Sequence, residues 1–273
     1  MRKEFARFIK TYLKFNPDSI LLLGDISVGL FIEHEDVLHE RVLNVGIAEQ
    51  TMISFAAGLS REGVLPFVHT ISPFMVERAY EQIKLDLSYN KNKCILVSAN
   101  GPFDYSKLGP THHCSSDIPL ISLLSDFNFA LPGTTKDVES ALVWAINQPN
   151  STYIRLTNQV YDNLKITAGE ISQYKNNRSK INIFIGEALS QYSASDVDKE
   201  ADSLYIWSPW QLHQSTLSSY NVINIWEPYS YGVIAHFISS LTPNEASIWS
   251  HTYPKSIENG IYDRVPYITT KIK

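Results

Sequence analysis

Cysteine is nearly missing from this chain. Cys94 and Cys114 are the only two in 273 residues, too few and too isolated for a disulfide framework or a zinc site. Such usage implies a reducing, cytoplasmic home. A basic surplus is also missing. With a net charge of -5 there is nothing to replace counterions along phosphates, which argues against a nucleic-acid partner. The longest basic run, Lys175 to Lys180, lies in a polar stretch and reads as a solvated linker. No apolar run approaches the length a bilayer needs, so no membrane span is expected. The N-terminal segment has Phe5, Phe8, Ile9, Tyr12 and Leu13 at helical spacing, but Lys3, Glu4, Arg7 and Lys10 interrupt it. It is therefore not a secretory signal. There is no GxGxxG, no P-loop and no Gly-Asp-Gly metal-diphosphate motif. The stretch Gly24-Asp25-Ile26-Ser27-Val28-Gly29 spaces its glycines differently from a nucleotide turn. Internal repeats and low-complexity tracts are absent as well.

What is present is apolar sequence in short, regular blocks. Hydrophobic residues make up 44% of the chain and charged ones only 19%, enough for a substantial core. Ser19 to Leu23 is an unbroken apolar run closing on Gly24-Asp25, the pattern of a strand buried on both faces of a parallel sheet. Strands follow at 42–45, 65–69, 94–99, 127–131 and 153–156. Helices are expected at 47–61, 74–89, 118–125 and 138–147, with a Gly/Pro-bearing loop over 100–116. This alternation predicts an α/β fold: a parallel sheet with helices on both faces, whose chemistry gathers beyond the carboxyl ends of the strands. From about Asn163 the composition turns polar, and Asn176 to Ser179 reads as a linker. A second alternating unit begins at Ile181 and continues through strands at 204–207 and 222–226 and a helix at 231–240. The expected domains are residues 1–165 and a smaller α/β domain over 180–273.

Asn44-Val45-Gly46-Ile47-Ala48-Glu49-Gln50 places one carboxylate at the start of a helix, behind a glycine turn and between apolar neighbours. Burial of a carboxyl group eases population of its protonated form, which suits an acid sharing a proton with a heteroaromatic nitrogen. The plainer alternative is a capping box with Gly46 as N-cap and Glu49 at the third helical position. Phe74 and Arg78 stand four apart and share a helix face. The ring could stack on a flat heterocycle, or Phe74 could be core while Arg78 pairs with Glu77 or Glu81. Gly109-Pro110-Thr111-His112-His113 presents two imidazoles from a rigid turn, able to exchange protons with sugar hydroxyls near neutral pH. Metal ligation is the runner-up, without a further ligand cluster to support it. Arg155 ends a strand and could hold a phosphate by bidentate bonds or make a salt bridge.

Taken in order, LLLGDISVG, RVLNVGIAEQTMISFAAGLSREGVLPFV, SPFMVERAYEQI and GPTHHCSSDI before NFALPG resemble the pyrimidine-binding domain of the transketolase family of thiamine diphosphate enzymes. The match runs from about Leu21 to Gln159. Beyond Asn182 there is a fainter likeness to the family's third domain, with its glycine-rich turn reduced to Glu227-Pro228-Tyr229-Ser230-Tyr231-Gly232. The resemblance implies roles by position. Glu49 would hydrogen-bond N1′ of the aminopyrimidine and favour its imino tautomer, which removes the proton from the reactive thiazolium carbon. Phe74 would stack on the pyrimidine, with Arg78 one turn on. His112, with His113 beside it, would contact substrate hydroxyls, and Arg155 would grip a sugar phosphate. Asp25 and Asn44 belong to matching motifs without an assigned role.

Departures from the family pattern carry expectations too. Ile71 replaces a second aromatic, and Leu108 stands where an aspartate is usual, which implies a less hydroxylated or modified sugar. A diphosphate-binding domain is not found in the sequence. The resemblance thus implies the small subunit of a split transketolase-like enzyme, moving a two-carbon ketol unit between sugar phosphates. A partner subunit would hold Mg²⁺ and the diphosphate, in a heterotetramer. A 2-oxoacid dehydrogenase β-type subunit, the 1-deoxyxylulose-5-phosphate synthase type and a catalytically degenerate structural partner are the alternatives.

Overall fold

A computed structural model describes residues 1–31, 40–164, 166–174, 179–193, 197–228, 232–242, 246–252, 255–258, 261–264 and 268–271. These fall into two compact units, Met1–Ala130 with Val138–Asn158, and Leu131–Asp137 with Gln159–Lys273. The expected single cut near residues 165–180 is thus not how compactness divides the chain, because 131–137 group with the later residues. The expected linker at 176–178 and Tyr229 to Tyr231 of the shortened turn lie outside the described residues.

The first unit opens with α1 (Arg2–Phe15), which buries Phe5, Ala6, Ile9 and Leu13, the stripe that helical spacing dictates. Six strands follow: β1 (Ser19–Leu23), β2 (Val42–Asn44), β3 (Leu65–Thr70), β4 (Ile95–Ser98), β5 (Phe127–Ala130) and β6 (Ser151–Arg155). They form one parallel sheet in the order β2-β1-β3-β4-β6-β5. Every residue of β1, β4, β5 and β6 is buried, so both faces of the sheet are covered. Between the strands run α2 (Glu49–Arg61), α3 (Tyr80–Gln82), α4 (Asp117–Ser122) and α5 (Thr135–Asn147). The chain steps from β1 to β2 on one side and then crosses back to β3 on the other. The crevice above β1 and β3 is therefore the switch point where open α/β sheets bind ligands.

Two expected helices differ in detail. The helix after β2 begins at Glu49 with Ala48 as its cap, not at Ile47, because Gly46 takes φ +77° and turns the chain two residues later. Glu49 is therefore the first helical residue rather than the third. The helix expected over 74–89 is three pieces. Pro73–Glu77 and Ile83–Tyr89 are π-helical and flank α3, with the Arg78 N–H donating to the Pro73 carbonyl at 3.0 Å. A π-turn holds one residue more than an α-turn and recurs at functional sites.

The second unit contains another six-stranded sheet, with β7 (Ile171–Ser172), β8 (Lys180–Ile185), β9 (Asp202–Ile206), β10 (Val222–Glu227), β11 (Ser247–Thr252) and β14 (Ile268–Lys271). The order is β14-β11-β10-β8-β9-β7. The four central strands are parallel, while β7 and β14 run antiparallel at the edges. A hairpin of β12 (Lys255–Glu258) and β13 (Ile261–Arg264) stands apart, and α6 (Gln214–Leu217) and α7 (Val233–Ser240) complete it. Among the described residues no helix is long and apolar enough to cross a membrane.

Candidate active site

Three segments bring their polar ends together above the switch point: the turn after β1, the turn that starts α2, and the end of β3. Glu49 is 1% exposed, and its Oε2 accepts a hydrogen bond from Arg78 Nη1 at 2.7 Å. Its other oxygen is poorly served. Among the described residues Oε1 has no donor nearer than the Thr70 hydroxyl at 3.4 Å, which also lies 3.5 Å from the Gly24 carbonyl. Bonds that long hold little. A buried acceptor with a lone pair to spare is the feature an incoming N–H would satisfy.

Arg78 has a second contact. Its Cζ lies 4.1 Å from the centroid of the Phe74 ring, so the guanidinium both stacks on the aromatic face and donates to the carboxylate. The π-turn from Pro73 to Glu77 carries both residues onto the same side. A planar, delocalised, N–H-bearing cation therefore already engages the two groups that a flat heterocycle would use. Phe74 also makes an edge-to-face contact with His112, ring centroids 5.2 Å apart. Tyr105 stands edge-on to His112 at 6.3 Å, and the Thr111 hydroxyl engages His112 Nδ1 at 3.0 Å.

Residues that sequence reasoning missed build the frame. Asn100 is fully buried. Its Oδ1 accepts the Ser72 N–H at 3.0 Å, and its carbonyl accepts the Ser72 hydroxyl at 2.7 Å, fastening the 100–113 loop to the π-turn. Asp104 accepts the Gly101 and Asn158 N–H groups, each at 2.7 Å, and the Thr157 hydroxyl at 3.0 Å. Gly24 is required by close approach, since a Cβ there would lie 2.8 Å from Thr70 Cβ. Nothing in local sequence signals the acceptor at Asn100, whose partner Ser72 is 28 residues away, or the ties from Asp104 to Thr157 and Asn158, more than 50 residues away.

Of the expected site residues, Glu49, Phe74, Arg78 and His112 form one contiguous group. His113 instead packs its ring against Phe103 at 5.5 Å. Arg155, expected to grip a phosphate, is 2% exposed and donates from Nη1 to Asp117 Oδ1 at 2.8 Å, while Tyr153 donates to Oδ2 at 2.8 Å and Asp117 is wholly buried. Burial, then the Asp117 charge, pushes the Tyr153 phenol well above its ordinary pKa, which keeps it a donor. Cys94 and Cys114 are both buried, and burial pushes both thiols up, so neither is a ready nucleophile.

A model of the transketolase pyrimidine-binding domain matches residues 1–163. An uncharacterized 33.6 kDa protein in the fasciation locus of Rhodococcoides fascians is 32% identical over 160 residues, covering 59% of this chain and 51% of that protein. One of the subunits of apulose-4-phosphate transketolase from Actinobacillus succinogenes is 34% identical over 117 residues, 43% of this chain and 38% of that one. The chain thus spans about half the length, or less, of these curated relatives. A solved structure described as a split gene transketolase, inactive beta4 tetramer, superposes with a TM-score of 0.71 over 92% of this chain and 88% of that one. At 19% identity that likeness speaks to the fold. The family match covers well over half of the 273 residues, and with the folded arrangement it makes this chain a member of the transketolase family through its pyrimidine-binding domain.

Proposed function

We propose that this chain supplies the pyrimidine half of a thiamine diphosphate site in a two-polypeptide transketolase-type enzyme that moves a two-carbon ketol unit between sugar phosphates. The observation that carries this reading is Glu49, a buried carboxylate with one oxygen held by Arg78 and the other open to an N–H donor. The guanidinium on Phe74 supports the fit: a planar N–H donor already engages the aromatic face and the carboxylate that an aminopyrimidine would use. Phe74 would offer its ring to that heterocycle and Glu49 Oε1 would accept its N–H, with Arg78 yielding the ring face while compensating the acid. When bound, the cofactor supplies the electron sink that lets a bond beside a carbonyl break. This chain's own work is to hold a proton between Glu49 and the ring nitrogen, and to exclude water around it.

His112 has Nδ1 engaged by Thr111, which leaves Nε2 to exchange a proton with a substrate hydroxyl. Leu108, 58% exposed two residues before Pro110, supports an acceptor that is less hydroxylated on that side. Diphosphate and Mg²⁺ would be held by a second polypeptide in a heterotetramer. That arrangement is supported by relatives whose own names call them subunits of a transketolase. Arg155, closed on Asp117, is left out of the phosphate site.

The test mixes the chain with a candidate diphosphate-binding partner, thiamine diphosphate, Mg²⁺ and ketose phosphate donors. Turnover that disappears in Glu49→Gln while assembly persists supports the reading. Assembly without turnover for any donor points to a structural partner instead. The chain alone is expected to bind thiamine diphosphate poorly, and tight calorimetric binding without a partner would contradict that.

A further inference from the structure

We propose that His69 is a positioning residue of this site: its neutral ring accepts the Ser27 hydroxyl and so locks the turn after β1 against the turn that launches Glu49. The inference rests on the thiamine diphosphate reading above only for what the locked turns are for. The lock itself is geometry.

His69 sits in the interior of β3, wholly buried, with the Phe5 ring 4.7 Å away. Its Nδ1 lies 2.7 Å from the Val97 carbonyl. A carbonyl only accepts, so Nδ1 carries the proton; the tautomer follows from this partner. In a neutral ring Nε2 is then an acceptor, and the Ser27 hydroxyl at 2.9 Å must donate to it. Burial lowers the ring's pKa to about 4, so that assignment holds throughout the physiological range. Packing alone would be served by leucine at this position. An imidazole there donates to one fixed acceptor of the sheet, the Val97 carbonyl, and accepts from one donor of the turn, the Ser27 hydroxyl.

The turn needs holding. Asp25 and Ser27 both adopt left-handed backbone, at φ +54° and +59°, a conformation that non-glycine residues keep only when their surroundings impose it. His69 fixes Ser27. Asn44 fixes Asp25, accepting its N–H on Oδ1 at 3.1 Å and donating from Nδ2 to its carboxylate at 3.0 Å. The same Asn44 oxygen accepts the Gly46 N–H at 3.2 Å, three residues before Glu49. Gly24, one residue ahead of Asp25, is pressed against Thr70, whose hydroxyl is the nearest donor to Glu49 Oε1. Position is therefore handed from His69 through Ser27 and Asp25 to Asn44, Gly46 and the acid. This also gives Asp25 and Asn44 a role: they join the two turns.

The experiment uses four substitutions in the full chain. Ser27→Ala removes the donor, and Ser27→Gly removes it while relieving the left-handed strain. His69→Gln keeps an acceptor near Nε2, and His69→Leu keeps bulk without one. Nitrogen-15 histidine spectra are expected to report His69 as the Nδ1–H tautomer from pH 5 to 8. Amide hydrogen exchange at Asp25 and Gly46 is expected to speed about tenfold in Ser27→Ala, Ser27→Gly and His69→Leu, the scale of one lost hydrogen bond. Ala141 in α5 is expected to be unaffected and His69→Gln largely rescued. In the assembled enzyme the same three variants should raise the half-saturating thiamine diphosphate concentration about tenfold. An Nε2–H tautomer, or exchange and half-saturation at unchanged values in both Ser27 variants, would overturn the proposal. If His69 variants do not fold, the Ser27 pair decides alone. A Glu49→Gln enzyme that turns over normally would instead sink the cofactor reading, leaving the tautomer and exchange results to judge the lock.

Discussion

Two acid–arginine pairs in the first unit have nearly the same bond length and opposite characters. Glu49–Arg78 closes at 2.7 Å and Asp117–Arg155 at 2.8 Å, yet Arg78 is 41% exposed and Arg155 only 2%. Asp117 has both oxygens taken, by Arg155 and by Tyr153. Glu49 has one oxygen held and one served only by a hydroxyl at 3.4 Å. A pair whose acid has both oxygens served by close donors, with both partners buried, is a strut. A buried acid whose cation reaches out to solvent, and whose second oxygen lacks a close donor, is a socket. The second unit repeats the pattern of a buried acid with both oxygens served. Its wholly buried Glu227 accepts the Ala235 N–H at 3.2 Å and the Ser250 hydroxyl at 2.6 Å. Asp202 there accepts the Tyr174 N–H at 2.7 Å and the Tyr220 hydroxyl at 2.9 Å. Burial of a carboxylate thus does not mark function; incomplete satisfaction does.

That contrast breaks first at Glu49. Glu49→Gln in the assembled enzyme is expected to lower turnover by about 10²–10⁴, the range for a lost acid–base group, with little change in melting of the chain. Steady-state kinetics beside a thermal melt checks both halves, and a loss of folding in place of turnover would make Glu49 another strut. Arg155→Met should do the reverse. Leaving Asp117 buried and uncompensated is expected to cost about 3–5 kcal/mol of stability, read from urea midpoints. A raised substrate KM in a variant of normal stability would restore Arg155 to the phosphate site.

Next in size is a pH effect. The buried His69 ring protonates only near pH 4, against an ordinary value of 6.5. Below pH 6.5 the unfolded chain takes up a proton that the folded chain refuses, so stability falls with pH from about 6.5 to 4. The gap of roughly 2.5 units corresponds to about 3 kcal/mol. His69→Gln removes this component, so its urea midpoint should decline less between pH 7 and pH 4 than that of the unaltered chain. Equal declines would mean that the ring is not held neutral.

The strands of the first unit were legible because burial on both faces leaves uninterrupted apolar runs; Ser19 to Leu23 reads to the residue. The central strand β11, the antiparallel edge strands β7 and β14 and the hairpin β12–β13 carry no such run and were not read. The π-turn at Pro73 escaped because counting apolar positions assumes 3.6 residues per turn, although the Phe74–Arg78 face survived since four residues still return to the same side. Glu49 was visible through its glycine turn. What its environment contains was not, as Arg78, Thr70 and Gly24 come from separate elements. Arg155 was legible as the end of a strand, while its partner Asp117, 38 residues away in sequence, was not. His69 looked like any strand residue, its role residing in Ser27 and Val97.

The smallest expected effect separates socket from strut within a single residue type. Arg78→Met keeps a long apolar stem over Phe74 and removes the charge from Glu49. Exposed ion pairs contribute about 0–1 kcal/mol and breaking buried ones costs about 3–5. A cation with two-fifths of its surface in water belongs between them, so about 1–2 kcal/mol is expected in the same urea titration that reads Arg155→Met. Arg78→Lys should recover part of the charge term but none of the planar stacking, since an ammonium is a point charge. If Arg78→Met costs as much as Arg155→Met, Glu49 depends on its arginine as fully as Asp117 does, and the open oxygen is an accident of packing. If it costs less, while the assembled enzyme loses thiamine diphosphate affinity, the guanidinium is the movable half of a site built to accept another planar donor.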